Sequence, residues 1–254
     1  MKTVIATTTL YAKEKVTDQI RFILACQMLE AEKRHNYPTV VLDGSSPKMH
    51  EELKKINGDL VYPLTVPGMG PGRRLVFFYA LHHLHITLGQ EDGVIFWTEP
   101  EKPALVKSIK RLVAPIIAGQ ADVVIPKRLK ANFATYPSWQ AEIEHAYNSV
   151  YEAETGRISF DPAFGPVAFR ASALQKLLFW NPASAGLNDT YITHYLPILV
   201  RNDRVASVEV DCPYPPEQKA SEEENKEVFY AKRIWQRDTY IKAYRTLAKL
   251  PKLI

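Results

Sequence analysis

Cysteine is scarce in this sequence: Cys26 and Cys212 are the only two in 254 residues. Two thiols cannot build the dense disulfide framework of a small secreted domain, so a reducing compartment is expected. Cys26 falls inside a helical apolar pattern and reads as core. Long apolar runs are lacking too. No stretch reaches the roughly 20 residues that a membrane-spanning helix needs. The start, Met1-Lys2-Thr3-Val4-Ile5, enters a strand pattern without the apolar stretch of a signal peptide. A soluble, cytoplasmic protein is expected. Charge of one sign is not in large excess either, since 32 basic and 28 acidic residues leave a formal +4. That surplus is too small for a nucleic-acid-binding protein, yet it suits an enzyme whose ligand is a phosphate anion. With 46% hydrophobic residues and no repeat or evident linker, the chain can bury a sizeable core as one domain.

What is present alternates between two periods. Thr3 to Leu10 is β-branched and apolar, as a buried parallel strand should be. From Val16 to Arg34, Ile20, Ile23, Leu24, Met28 and Ala31 recur at helical spacing, with Thr17 or Asp18 as a cap. Thr39 to Leu42 gives a second strand, and a helix from about Pro47 to Ile56 precedes a short strand near Leu60 to Tyr62. A glycine-rich loop, Pro67 to Arg74, opens a helix through Val76, Tyr79, Ala80 and Leu84. Gly93 to Trp97 and Ala121 to Pro126 are further strands, with a helix between them that Pro115 should kink or end. This alternation predicts an α/β domain: a mostly parallel, Rossmann-like sheet with helices on both faces. In the second half, helices are expected over Trp139 to Glu154, Ala171 to Leu178 and Asp189 to Val200, the last interrupted by Pro197. Gly165 to Phe169 and Val205 to Val210 read as strands, and a charged run from Ser221 leads into a helical tail.

Ligands of open parallel sheets bind at the carboxyl ends of the strands. Four segments fall there: Thr7-Thr8-Thr9-Leu10-Tyr11, Asp43-Gly44-Ser45-Ser46, the glycine-rich loop, and Thr98-Glu99-Pro100-Glu101. The Asp43 carboxylate can accept from a base or ribose, or it can simply cap a turn. The loop can let backbone approach a diphosphate that Arg73 and Arg74 neutralise, or it can be a flexible connection with solvated arginines. Glu99 and Glu101 can hold Mg²⁺ or Mn²⁺ against a diphosphate, or they can form a charged helix entry. His82, His83 and His85 read as helix-surface residues rather than metal ligands. The basic end, with Lys242, Arg245, Lys249 and Lys252, reads as a solvated helix.

The order of these segments resembles the family-2-type glycosyltransferases of the GT-A fold. The matching pieces are Val41-Leu42-Asp43-Gly44-Ser45, Gly70-Pro71-Gly72-Arg73-Arg74 and Ile95-Phe96-Trp97-Thr98-Glu99-Pro100-Glu101. Ala121 to Arg128, Phe164 to Arg170, and Leu187-Asn188-Asp189-Thr190 follow in the same order. The likeness spans residues 3 to 212. Glu-Pro-Glu stands where that family has Asp-x-Asp, and Asn188-Asp189 where it has Glu-Asp. The acceptor-side Gln-x-x-Arg-Trp is missing, which excludes a processive polysaccharide synthase; Arg233-Ile234-Trp235-Gln236-Arg237 is a loose echo of it.

The resemblance implies a single GT-A-like domain, residues 1–254. A nucleotide-sugar-binding half covers about residues 1–128, and an acceptor half with a helical tail covers about 129–254. It implies an inverting glycosyltransferase that moves a sugar from a nucleoside-diphosphate sugar to a hydroxyl acceptor. Thr8 and Asp43 would bind the nucleoside, Arg73 or Arg74 the diphosphate, and Glu99 and Glu101 a divalent Mg²⁺ or Mn²⁺. Gly165 would let backbone pass close to the donor sugar, and Asp189 would be the general base. Two alternatives stay open: a nucleotidyltransferase of similar fold, and a catalytically silent nucleotide-sugar-binding homologue. The first usually resembles Leu-x-x-Gly-x-Gly-x-Arg after the first strand, where this chain has Thr7-Thr8-Thr9-Leu10-Tyr11.

Overall fold

The computed structural model describes residues 1–12 and 15–254. The chain folds in the order β1 (Lys2–Thr9), α1 (Val16–Arg34), β2 (Thr39–Asp43), α2 (Pro47–Asn57), β3 (Val61–Pro63), α3 (Met69–His82) and β4 (Gly93–Trp97). A 3-10 turn, Pro103–Ser108, leads into α4 (Ile109–Ile117) and β5 (Val123–Arg128). Then come α5 (Lys130–Phe133), α6 (Ser138–Thr155), β6 (Val167–Arg170), α7 (Ala171–Leu178) and α8 (Ile192–Tyr195). Last are β7 (Val205–Val210), α9 (Pro216–Glu224) and α10 (Lys226–Leu247).

The strands form one seven-stranded sheet in the order β3-β2-β1-β4-β6-β5-β7. All neighbours are parallel except β6, which runs antiparallel to both β4 and β5. Both faces are covered, and the period-2 alternation of a strand sorts the side chains between them. Val4, Ala6, Ile95, Trp97 and Phe169 join α3, α6, α7 and α10 in one core cluster. Their neighbours in sequence Ile5, Val94, Phe96 and Ala168 join Met28 of α1 and Ile109, Leu112, Val113 and Ile116 of α4 in another. This is the expected α/β architecture. Among the described residues no helix is long and apolar enough to cross a membrane.

Three expectations shift. The glycine-rich segment is not a loop leading to α3: Gly70, Pro71 and Gly72 already lie in its first turn. Pro115 sits inside α4, which still runs to Ile117. The helix expected over Asp189 to Val200 breaks into the single turn of α8 and a 3-10 turn, Leu196–Leu199. Pro197 lacks the N–H a helix needs there. The carbonyls of Pro197 and Val200 accept from the buried guanidinium of Arg157 at 2.9 and 2.7 Å. The tail folds back, packing Tyr240 of α10 on Tyr147 of α6 with ring centroids 5.0 Å apart and the rings tilted by 39°.

Candidate functional site

A cavity of ≈ 210 Å³ opens at one edge of the sheet. Its walls come from the segments after β4, β5 and β7, and from Gly165 at the amino end of β6. Because β6 is antiparallel, its amino end shares that edge with the carboxyl ends of its neighbours. Helices α1, α6 and α10 complete the enclosure through Arg21, Glu144 and Lys232 among others.

Glu99 and Glu101 both line this cavity, and both are already engaged. Glu101 Oε1 accepts from the Tyr11 hydroxyl at 2.9 Å and forms an ion pair with Arg21 at 2.7 Å. That carboxylate pushes the Arg21 pKa upward despite burial. Glu99 Oε2 lies 3.8 Å from the Lys102 ammonium, and that oxygen is buried without a hydrogen-bond partner. Gly165 has φ 99° and sits against Glu99: a Cβ there would come within 2.1 Å of Glu99 Oε1. The glycine therefore makes room for a side chain of this chain.

Arg73 lines the cavity, its guanidinium 5.2 Å from the Trp97 ring centre and 5.5 Å from that of Tyr191, with Nη1 donating to Thr190 O. Arg74 is spent on structure. It donates to Leu178 O and Trp180 O, and its Nε pairs with Asp189 Oδ2 at 2.7 Å. Asp189 is thus bridged to Arg74, and it is not part of the cavity wall. No side chain caps α8, so Asp189 does not cap that turn either. Its backbone packs on α3 so closely that a Cβ at Gly70 would lie 2.2 Å from Asp189 O. The glycines of this motif serve helix packing.

Thr8 and Asp43 lie on the neighbouring strands β1 and β2, outside the cavity wall. Asp43 is a local organiser: Oδ1 accepts from the Thr9 hydroxyl at 2.6 Å and the Ser45 N–H at 3.0 Å, and Oδ2 contacts His50 Nδ1 at 2.7 Å. His85 bridges Gln90 O and Gln175, and His82 is exposed, as helix-surface residues should be.

Several cavity residues carried no signal in the sequence. Arg128 is fully buried, donating to Asp161 at 2.7 and 2.8 Å and to Glu144 at 2.6 Å, with the rings of Phe133 and Tyr136 against it. Burial works against its charge, but Glu144 and Asp161 outweigh that and keep it protonated. His194 is buried beside the Tyr240 hydroxyl at 3.2 Å; burial, aided by Arg73, pushes its pKa down to about 3. It stays neutral near pH 7. Burial likewise pushes the Cys212 thiol up to about 11, which leaves it unreactive.

The resemblance implies a divalent metal at Glu99 and Glu101. These carboxylates do not fit one as they stand. Arg21 and Tyr11 share one oxygen of Glu101, Lys102 faces Glu99, and among the described residues no group of three or more His, Cys, Asp or Glu could hold a metal ion. Six basic side chains line the cavity against four glutamates, so positive charge is already in surplus.

No family model and no curated protein matches the sequence. The fold has close counterparts among solved structures. Glucosyl-3-phosphoglycerate synthase from Mycobacterium tuberculosis in complex with phosphoglyceric acid matches with a TM-score of 0.57 at 11% identity, covering 99% of this chain and 89% of that one. The same enzyme with uridine diphosphate gives 0.56 at 13% identity, covering 98% and 81%. With Mn²⁺, UDP-glucose and phosphoglyceric acid it gives 0.56 at 13%, covering 98% and 80%. At such identities the likeness is one of fold, and the chain has the GT-A-like α/β fold of these glycosyltransferase structures.

Proposed function

We propose that this protein is a glycosyltransferase that moves a sugar from a nucleoside diphosphate to a hydroxyl acceptor. The observation that carries the reading is the cavity at the strand ends, where ligands of open α/β sheets bind, rimmed by carboxylates and surplus cations. The similar structures contain uridine diphosphate alone, or Mn²⁺ and UDP-glucose with phosphoglyceric acid or glycerol 3-phosphate. In this reading residues 1–128 supply the nucleotide side and residues 129–254 the acceptor side. The nucleoside lies along the ends of β1 and β2, near Thr8 and the Asp43 turn. Asp43 acts by holding Thr9, Ser45 and His50 in place. Arg73 is the arginine of the pair that borders the reacting groups.

In the transfer, the acceptor oxygen bonds to the anomeric carbon as the bond to the diphosphate oxygen breaks. The nucleoside diphosphate leaves with the electron pair, and the hydroxyl proton passes to a carboxylate. Glu99 suits this role better than Asp189. Each keeps one buried oxygen without a hydrogen-bond donor, but Glu99 borders the cavity, whereas Asp189 lies outside its wall and is bridged to Arg74. Such base-assisted attack corresponds to inversion, which NMR of the product's anomeric proton checks. Glu99→Gln should lower turnover by ~10²–10⁴ while nucleotide affinity holds. Asp189→Asn should cost far less; the reverse ranking returns the role to Asp189.

The reading itself is tested by thermal melts against nucleoside diphosphates and their sugars. A ligand that binds only the native state raises the melting temperature with concentration. A flat response across the whole panel would overturn it, and binding without turnover would leave a nucleotide-sugar binder.

A further inference from the structure

We infer that the diphosphate of the donor is neutralised by side chains of this chain, Arg21, Lys102 and Lys232, and not by a divalent cation. The inference rests on the nucleotide-sugar reading. A metal between an acidic pair and a diphosphate separates negative groups that would otherwise repel at close range. Here cationic side chains already provide that separation from within. Arg21 stands 2.7 Å from Glu101, and the Tyr11 hydroxyl donates to the same oxygen. Lys102 stands beside Glu99, with its ammonium 4.9 Å from the Phe164 ring centre.

The same wall carries two more cations, of which Arg233 donates from Nη1 to Gln236 Oε1 at 3.2 Å. Lys232 and Arg233 of α10 line the cavity, and neither forms an ion pair with a carboxylate among the described residues. Arg233 Nε is buried with no hydrogen-bond partner. Burial first, and then crowding by Arg233 and Arg21, draws the Lys232 ammonium pKa down to about 8, against the pull of Glu222 and Glu101. An arriving phosphate relieves that crowding. Arg21 gives Nη2 to Glu101 and has Nη1 3.9 Å from Asp18, beyond hydrogen-bond range, so it has N–H groups left to offer.

Isothermal titration of UDP into the full chain, in EDTA and in Mn²⁺, tests the assignment. The expected affinities agree within about threefold, a small difference on the logarithmic scale of binding. Lys232→Gln should weaken UDP about tenfold, equivalent to ~1.4 kcal/mol, with its melting temperature unchanged because the residue is exposed. Glu101→Gln frees Arg21 and should leave UDP binding in Mn²⁺ equal or tighter, whereas a metal-held diphosphate requires a loss in Mn²⁺. Binding that needs Mn²⁺ and disappears in Glu101→Gln would overturn the inference and leave the nucleotide-sugar reading standing. Unchanged affinity in Lys232→Gln would overturn the assignment of that residue. Failure of the wild type to bind UDP in both buffers would count against the uridine-nucleotide donor itself, and the inference would fall with it.

Discussion

Arg128 and Lys232 line the same cavity and are held in opposite ways. Arg128 has no exposed side-chain surface, two carboxylates on its nitrogens and aromatic rings against it. Lys232 is exposed, forms no ion pair among the described residues, and feels Arg233 and Arg21 more strongly than Glu222 and Glu101. Taking an ion out of water costs several kcal/mol, so the fold surrounds a buried charge with its opposite. A charge left at a cavity wall without such an escort answers to something that arrives. Glu32 marks a third case. It is buried in α1 and, among the described residues, has one donor, the Thr39 hydroxyl at 2.8 Å, and no cation. Burial pushes its pKa up to about 8, so near pH 7 it is mostly uncharged.

The comparison can be broken most forcefully at Arg128. Arg128→Ala leaves Glu144 and Asp161 buried without their cation and should cost about 3–5 kcal/mol, read from denaturant melts. A loss under 1 kcal/mol would mean that those carboxylates are solvated after all. Glu32→Gln sharpens the third case and should stabilise. The folded-state pKa is raised, so below about 4.5 both states hold the proton and the variant gains nothing. Between about 4.5 and 8 the unfolded chain releases the proton first, and wild-type stability falls as pH rises. At pH 7 the variant should lead by something on the order of 3 kcal/mol. Melts that show no widening gap between pH 4 and pH 8 would refute the raised pKa. The smallest effect belongs to Lys232→Gln, whose stability should stay within about 0.5 kcal/mol of the wild type.

How much of this was legible depended on the distance over which each residue acts. The strands were readable because β-branched runs such as Thr39-Val40-Val41-Leu42 carry their signal locally. The carboxylates at Glu99 and Glu101 were readable as a strand-end pair. Their partners were not, because Tyr11 and Arg21 come from a different strand end and a different helix. The glycines near residue 70, followed by two arginines, read either as a diphosphate-binding loop or as a flexible connection. Their use becomes visible only when the backbone of Asp189 is seen to lie against Gly70. Arg128 closes a recognisable strand, yet Glu144 and Asp161 sit in segments with no motif of their own. The part of α10 that walls the cavity read as a charged helix because charge on a helix says nothing about what it faces.

The contact between Gly165 and Glu99 ties the history of two distant positions together. Any side chain at 165 must displace the carboxylate at 99, and its backbone, at φ 99°, already disfavours one. A lineage could therefore gain a larger residue at 165 only after shortening or losing the acid at 99. Chains descended from this one that keep the glutamate should keep the glycine with it. That joint inheritance would identify kin whose overall sequence has drifted beyond recognition.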